Sequence, residues 1–119
     1  MNIEEFRDYC LALPGVSEEF PFDQQTLVYK VMGKMFVLCN VDNFVSINLK
    51  GKPEDNIDLR ERYSGIRPGF HMNKKHWNTI ETDGSVEDVL MYDLIKESYD
   101  LVASGLTIKL KEELKRMQS

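Results

Sequence analysis

At 119 residues the chain is the size of one domain, and such a chain buries roughly two thirds of its unfolded surface, enough to need no metal or disulfide staple. Its 42% apolar and 29% charged content excludes disorder, and no apolar run approaches the length that crosses a bilayer. Fifteen basic against 20 acidic residues give a net charge of −5, which excludes diffuse adhesion to polyanions and leaves a localised patch as the route to them.

Asn2 is placed to cap a first helix, with Glu5 three residues on completing a capping box. Ile3, Phe6, Cys10 and Leu13 recur at helical spacing. Leu13-Pro14-Gly15 ends that run, because Pro14 pushes its predecessor out of the helical region. Val16 to Phe22, interrupted by Pro21, reads as an edge strand or extended loop. From Thr26 to Leu49 the period becomes two. Leu27, Tyr29 and Val31 alternate with Val28, Lys30 and Met32, and Met32-Gly33-Lys34 turns the chain into Met35 to Cys39. Asp42-Asn43 turns it again, after which Val45, Ile47 and Leu49 share one face. The pattern predicts a three-stranded antiparallel meander.

Pro53 suits the first position of a second helix and Gly65 its C-terminal cap. Ile57, Leu59 and Tyr63 give that helix thin apolar cover, which places it on the surface. Ile66 to Met72 and Trp77 to Ile80 are β-like and flank Asn73-Lys74-Lys75-His76, which predicts a second hairpin with a cationic tip. Asp83-Gly84 is a turn, and Ser85 with Asp88 forms a second capping box. It opens the longest helix, Val86 to about Ala103, whose Val86, Leu90, Leu94 and Leu101 face the core beside Val89, Ile95 and Val102. Beyond Ser104-Gly105, the spacing of Leu106, Leu110, Leu114 and Met117 predicts a short amphipathic helix. These elements describe an α+β fold: an antiparallel sheet built from a meander and a second hairpin, with helices packed on one face. Residues 1–106 form a single domain, and 107–119 a C-terminal amphipathic helical extension packed on it.

From Arg62 to Ile80 there is no Asp or Glu, while Arg62, Arg67, Lys74 and Lys75 fall there, so the rest of the chain holds 11 basic against 20 acidic residues, or −9. Lys74 and Lys75 at the hairpin tip, extended by Arg67 and Lys34, suit backbone phosphates, with Asn73 and Asn78 as further polar contacts. The competing reading is a solvated turn, since Asn and Lys are common at exposed tips. Phe20, Phe22, Phe70, His71, His76 and Trp77 supply the alternative, an aromatic-lined groove for a small molecule or protein partner. Trp77 reads as a core anchor more than as a stacking platform. His71 and His76 have no nearby third ligand, so no metal is expected, and no nucleophile motif or phosphate-cradling glycine loop points to an enzyme or a cofactor. Cys10 and Cys39 lack ligand spacing and read as buried free thiols in a cytoplasmic, monomeric protein. The acidic start, Asn2-Ile3-Glu4-Glu5, is not an export signal and nothing suggests a membrane partner.

Several phrases together resemble one family: Glu5-Phe6-Arg7-Asp8-Tyr9-Cys10, Leu13-Pro14-Gly15-Val16, Phe20-Pro21-Phe22-Asp23, Lys30-Val31-Met32-Gly33-Lys34-Met35-Phe36, Ser46-Ile47-Asn48-Leu49-Lys50 and Pro68-Gly69-Phe70-His71-Met72-Asn73-Lys74-Lys75-His76-Trp77-Asn78. Over about residues 2–106 the chain is similar to the MmcQ/YjbR family of small bacterial proteins. The resemblance implies a CyaY-like α+β domain and DNA binding through a "double wing", with the two wings at the hairpins around Gly33 and around Lys74-Lys75. It implies no catalytic residues.

Overall fold

The alternation between Thr26 and Leu49 folds as an antiparallel meander, and the rest of the chain is laid around it. The computed structural model describes residues 1–69 and 72–118. Helix α1 (Ile3–Ala12) is followed by strands β1 (Val16–Glu19), β2 (Thr26–Val31), β3 (Lys34–Asn40) and β4 (Ser46–Lys50). Then come helix α2 (Pro53–Arg62), strands β5 (Ile66–Pro68) and β6 (Trp77–Glu81), and helices α3 (Asp88–Ser104) and α4 (Ile108–Gln118). Among the described residues the strands form one antiparallel sheet in the order β1-β2-β3-β4-β6-β5. This is the α+β architecture the patterning implies.

The expected capping box at α1 forms. The Glu5 amide donates to Asn2 Oδ1 at 2.8 Å, and the Asn2 amide donates to Glu5 Oε1 at 3.3 Å. That start sets the phase which buries Phe6 and Cys10, one turn apart, against the sheet. The β2–β3 turn has positive φ at both Met32 (49°) and Gly33 (85°), the conformation whose twist matches a two-residue hairpin.

The helices cover one face of the sheet. Met91, Leu94, Ile95, Tyr99 and Val102 of α3 close over Tyr29, Val37, Ile47, Leu49 and Ile80. The opposite face carries a smaller buried cluster, Val28, Leu38 and Trp77, with Met35 and Met72 packed on it. A register slip between Tyr29 and Lys30 skips Phe36, so Phe36 and Val37 are both fully buried in the main core although adjacent in sequence. The β3–β4 ladder stops at Val37↔Leu49, and a buried serine completes the next rung. Ser98 Oγ accepts from the Lys50 amide at 3.0 Å and donates to the Phe36 carbonyl at 2.6 Å. Tyr99 Oη next to it donates to the Pro14 carbonyl at 2.6 Å, tying α3 to the end of α1. The C-terminal helix docks through Leu114, which is 5% exposed and lies against Gly15.

Four local expectations are corrected. Gly65 is not a helix cap: α2 ends at Tyr63 in extended backbone, and Gly65 is buried where a Cβ would lie 2.2 Å from Ser85 Oγ. Ser85 does not cap α3. Its amide is taken by Asp83 Oδ1 at 3.0 Å, and the helix starts at Asp88 after Glu87, without a side-chain cap. Val89 is 72% exposed, because at 3.6 residues per turn it lies on the side of the helix away from the buried row Met91, Leu94, Ile95 and Ser98. Val45 lies outside β4 and is 58% exposed.

Two outcomes follow. Gly15 (φ +73°) and Gly33 (φ +85°) both hold left-handed backbone, but a Cβ meets Leu114 Cδ1 at 2.8 Å only at Gly15, with nothing within 4 Å at Gly33. Gly33→Ala should therefore lose about 1–2 kcal/mol, and Gly15→Ala a further ~1–3 kcal/mol for overpacking, read by urea denaturation. Equal losses would contradict the docking of α4. The second outcome concerns Glu18, which accepts from Arg7 Nε at 2.8 Å and from Tyr29 Oη at 2.8 Å. The Arg7 hydrogen bond, helped by that from Tyr29, holds its carboxyl below the ordinary 4.5. With the folded value depressed, the stabilisation is present above about pH 4.5 and disappears as pH falls through the folded value. Glu18→Gln should flatten that part of a Tm-against-pH curve, and an unchanged acid limb would contradict the assignment.

Candidate nucleic-acid interface

Antiparallel registers bring three turns of the chain to one end of the sheet. β4 pairs with β6 from Ser46↔Glu81 to Lys50↔Trp77, and the Gly51 amide carries the pattern on by donating to the His76 carbonyl at 2.8 Å. Counting on along these registers, Lys52 stands level with Lys75, and through β3, which begins at Lys34, level with the β2–β3 turn. Neighbouring strands lie about 5 Å apart, so the row Lys34–Lys52–Lys75 spans on the order of 10 Å. Lys74 stands beside it on the tip, and all four lysines are exposed.

The second tip is held from beneath by α2. Asn56 and Arg60 are one helical turn apart and so share a face. Asn56 Nδ2 donates to the carbonyls of Gly51 (3.2 Å) and Lys75 (3.3 Å). The Arg60 guanidinium donates to the carbonyls of Lys74 and Trp77 and, through Nε, to Asn78 Oδ1 at 2.6 Å. Asn73 closes the turn, its side chain accepting from the Lys75 amide at 2.9 Å and its carbonyl from the amides of His76 (3.2 Å) and Trp77 (3.0 Å). The carbonyls of Asn73, Lys74, Lys75 and His76 are thereby satisfied internally, and the ammonium groups of Lys74 and Lys75 are exposed. Among the described residues no ion pair involves Lys34, Lys50, Lys52, Lys74 or Lys75. Glu54 and Asp55 stand in the first turn of α2, directly after Lys52 and Pro53.

The structure redistributes the rest of the expected set. Asn78 is 2% exposed and spent on Arg60 and Asn56, so it is unavailable to a ligand. Asn73 is used by its own turn. Arg67 is ion-paired with Glu81 and lies four residues from the lysine end, opposite Thr79 on β6. Among the described residues, the expected aromatic set is divided between separate places. Phe20 (49% exposed) borders a small hollow with Ile3, Arg7 and Glu18, whereas Phe22 (68% exposed) borders a groove on the far side of the sheet, and Trp77 is 8% exposed. His76 is half-buried behind the lysine tip, and Phe70 and His71 lie outside the described residues. Among the described residues no three His, Cys, Asp or Glu side chains gather as a metal site. Cys10 and Cys39 are free and buried, and burial raises both thiols, Cys39 to about 12. Among the described residues no helix is long and apolar enough to cross a membrane.

Sequence reading missed Lys52, Asn56 and Arg60. The one available signal was the four-residue spacing of Asn56 and Arg60 on a helix otherwise short of apolar residues, which marks a face that docks by hydrogen bonds. Two hollows flank the sheet, the first at the lysine end and the second beginning about four residues along the strands from it. One, of about 420 Å³ between α2 and α3, is floored by Leu49, Ile80 and Leu94 and has Asp55, Glu97 and Asp100 in its wall. The other, of about 910 Å³, lies on the helix-free face.

The YjbR family model matches residues 11–101. YbdF of Escherichia coli O157:H7 is 36% identical over 116 residues, covering 97% of this chain and 93% of its own, and YjbR of Escherichia coli K12 is 37% identical over 100 residues, covering 83% and 85%. A crystal structure of the Deinococcus radiodurans protein DR2400, a DUF419 domain, superposes with a TM-score of 0.89 at 38% identity, over 96% of this chain and 88% of that one. With matches of this length in both sequence and fold, the chain belongs to the YjbR family.

Proposed function

We propose that the protein is a non-enzymatic, cytoplasmic nucleic-acid-binding module, with DNA as the first candidate, that holds backbone phosphates on Lys34, Lys52, Lys74 and Lys75. The observation that carries this reading is a row of exposed lysines on adjacent turns, with no ion pair among the described residues, in a chain of net charge −5. An anionic body with one cationic end orients an approaching polyanion and limits contact to that end. The two hairpin turns, at Gly33 and at Lys74-Lys75, are the features that the double-wing description of the family would use. The cavity between α2 and α3 is a poorer place for a phosphate chain, since Asp55, Glu97 and Asp100 outnumber Lys50 and Lys52 in its lining.

Each lysine that neutralises a phosphate releases condensed counterions, so affinity falls linearly on a log–log plot against salt. For a short labelled DNA duplex, the Lys74→Ala/Lys75→Ala double variant should weaken binding at low salt and reduce the salt slope by about 2. Arg67→Ala should leave the slope nearly unchanged, because its charge is already paired with Glu81. A slope that ignores the two lysines, or no binding tighter than about millimolar at low salt, a level weaker than non-specific association usually shows, would overturn the reading.

A further inference from the structure

We infer that the nucleic acid this protein prefers is unpaired, and that the groove on the helix-free face of the sheet seats one of its bases. The inference rests on the phosphate reading above and adds the substrate class. The groove begins about four residues along the strands from the lysine row: Leu38, Asn48 and Thr79 lie four positions from Lys34, Lys52 and Lys75 respectively. At about 3.3 Å per residue, that places it ~13 Å from the phosphates' anchor, on the same sheet. Lys50, paired with Trp77, shares the helix-free face between the two by strand alternation.

The lining has the two chemistries an unpaired base needs. Phe22, Leu38 and Met72 offer flat or apolar surface, and Phe22 stands 68% exposed although nothing in its loop requires an aromatic ring in water. Asn48 uses its carbonyl oxygen on the Thr79 hydroxyl (2.6 Å), and Asn40 uses its own on the amides of Asp42 (2.8 Å) and Asn43 (3.2 Å). The amide nitrogens of both have no partner among the described residues, so both side chains retain donors for ring carbonyls or nitrogens. A volume of about 910 Å³ accommodates a nucleoside. In a duplex only base edges are accessible. Stacking a ring against Phe22 requires a base free of its pair, which is how single strands are held by aromatic side chains beside cationic tracks.

The test compares three probes by fluorescence anisotropy at low salt: a short mixed-sequence single strand, the same strand with every base removed, and the matching duplex. The intact strand should bind about tenfold more tightly than the abasic strand, a ratio typical of one stacked base. Phe22→Ala should erase most of that preference while leaving abasic affinity and salt slope unchanged. Because Phe22 is exposed, this variant should melt like the parent, and Asn48→Ala serves as a second, independent probe of the same groove. Equal binding of intact and abasic strands, or a preference for the duplex, overturns the base seat and leaves the lysine row standing. A base preference that survives both substitutions overturns this groove as its source. Failure of all three probes to bind overturns the phosphate reading and the base seat together.

Discussion

The register of β6 on β4 is the constraint on which the arrangement depends. Because β6 lies between β4 and β5, the turn before Trp77 emerges beside the turn after Lys50, and the Gly51 amide bonded to the His76 carbonyl fixes the two together. A slip by one residue would exchange Trp77 and Thr79 for Asn78 and Ile80 across the sheet, burying amide where ring belongs. Asn78 reinforces the choice. It is acceptable in the core only because Arg60 and Asn56 reach it from α2, so the correct register also satisfies the helix.

The same helix explains how four lysines share one end without a structural task. Carbonyls at the tip would otherwise call on water or on the lysines themselves. Arg60 and Asn56 occupy them, and long ammonium side chains are left with nothing to neutralise. The helix-face bonds made by Ser98 act similarly at the neighbouring turn, closing the gap between Phe36 and Lys50 where the ladder stops. At this end the structure is held by hydrogen bonds, those of the Arg60 guanidinium among them, and by buried surface, while the lysine charge is kept for solvent or a partner.

Local chemistry was legible in the sequence where neighbours decide it. The Asn2–Glu5 box, the antiparallel meander between Leu27 and Leu49, Pro53 at the head of α2 and the row Leu106, Leu110 and Leu114 fold as their residues suggest, whereas Met117, expected in that row, is 56% exposed. Long-range decisions were not. Nothing near Phe36 announces the bulge that buries it beside Val37, and Val28 and Trp77 join one cluster on the helix-free face only after four strands have paired. Ser85 and Asp88 have the spacing of a cap, yet Asp83 takes the serine amide first and moves the helix start. At the candidate site, Lys34, Lys74 and Lys75 were legible as exposed cations. The burial of Asn78 was not, since its partners lie on α2, nor was the ion pair of Arg67, whose partner Glu81 falls just beyond the acid-free window.

The central claim is that one end of the sheet, where the turns around Gly33, Lys52 and Lys75 meet, is the surface that receives a polyanion. The most direct measurement is a map of backbone amide chemical shifts during titration with a short single-stranded oligonucleotide at low salt. The account predicts that the largest changes fall at residues 33–34, 51–52 and 74–76 and continue onto Leu38 and Asn48. Changes confined to Asp55, Leu59, Glu97, Asp100 and Leu101 on the helix walls of the cleft, or spread evenly over the helices, would contradict it.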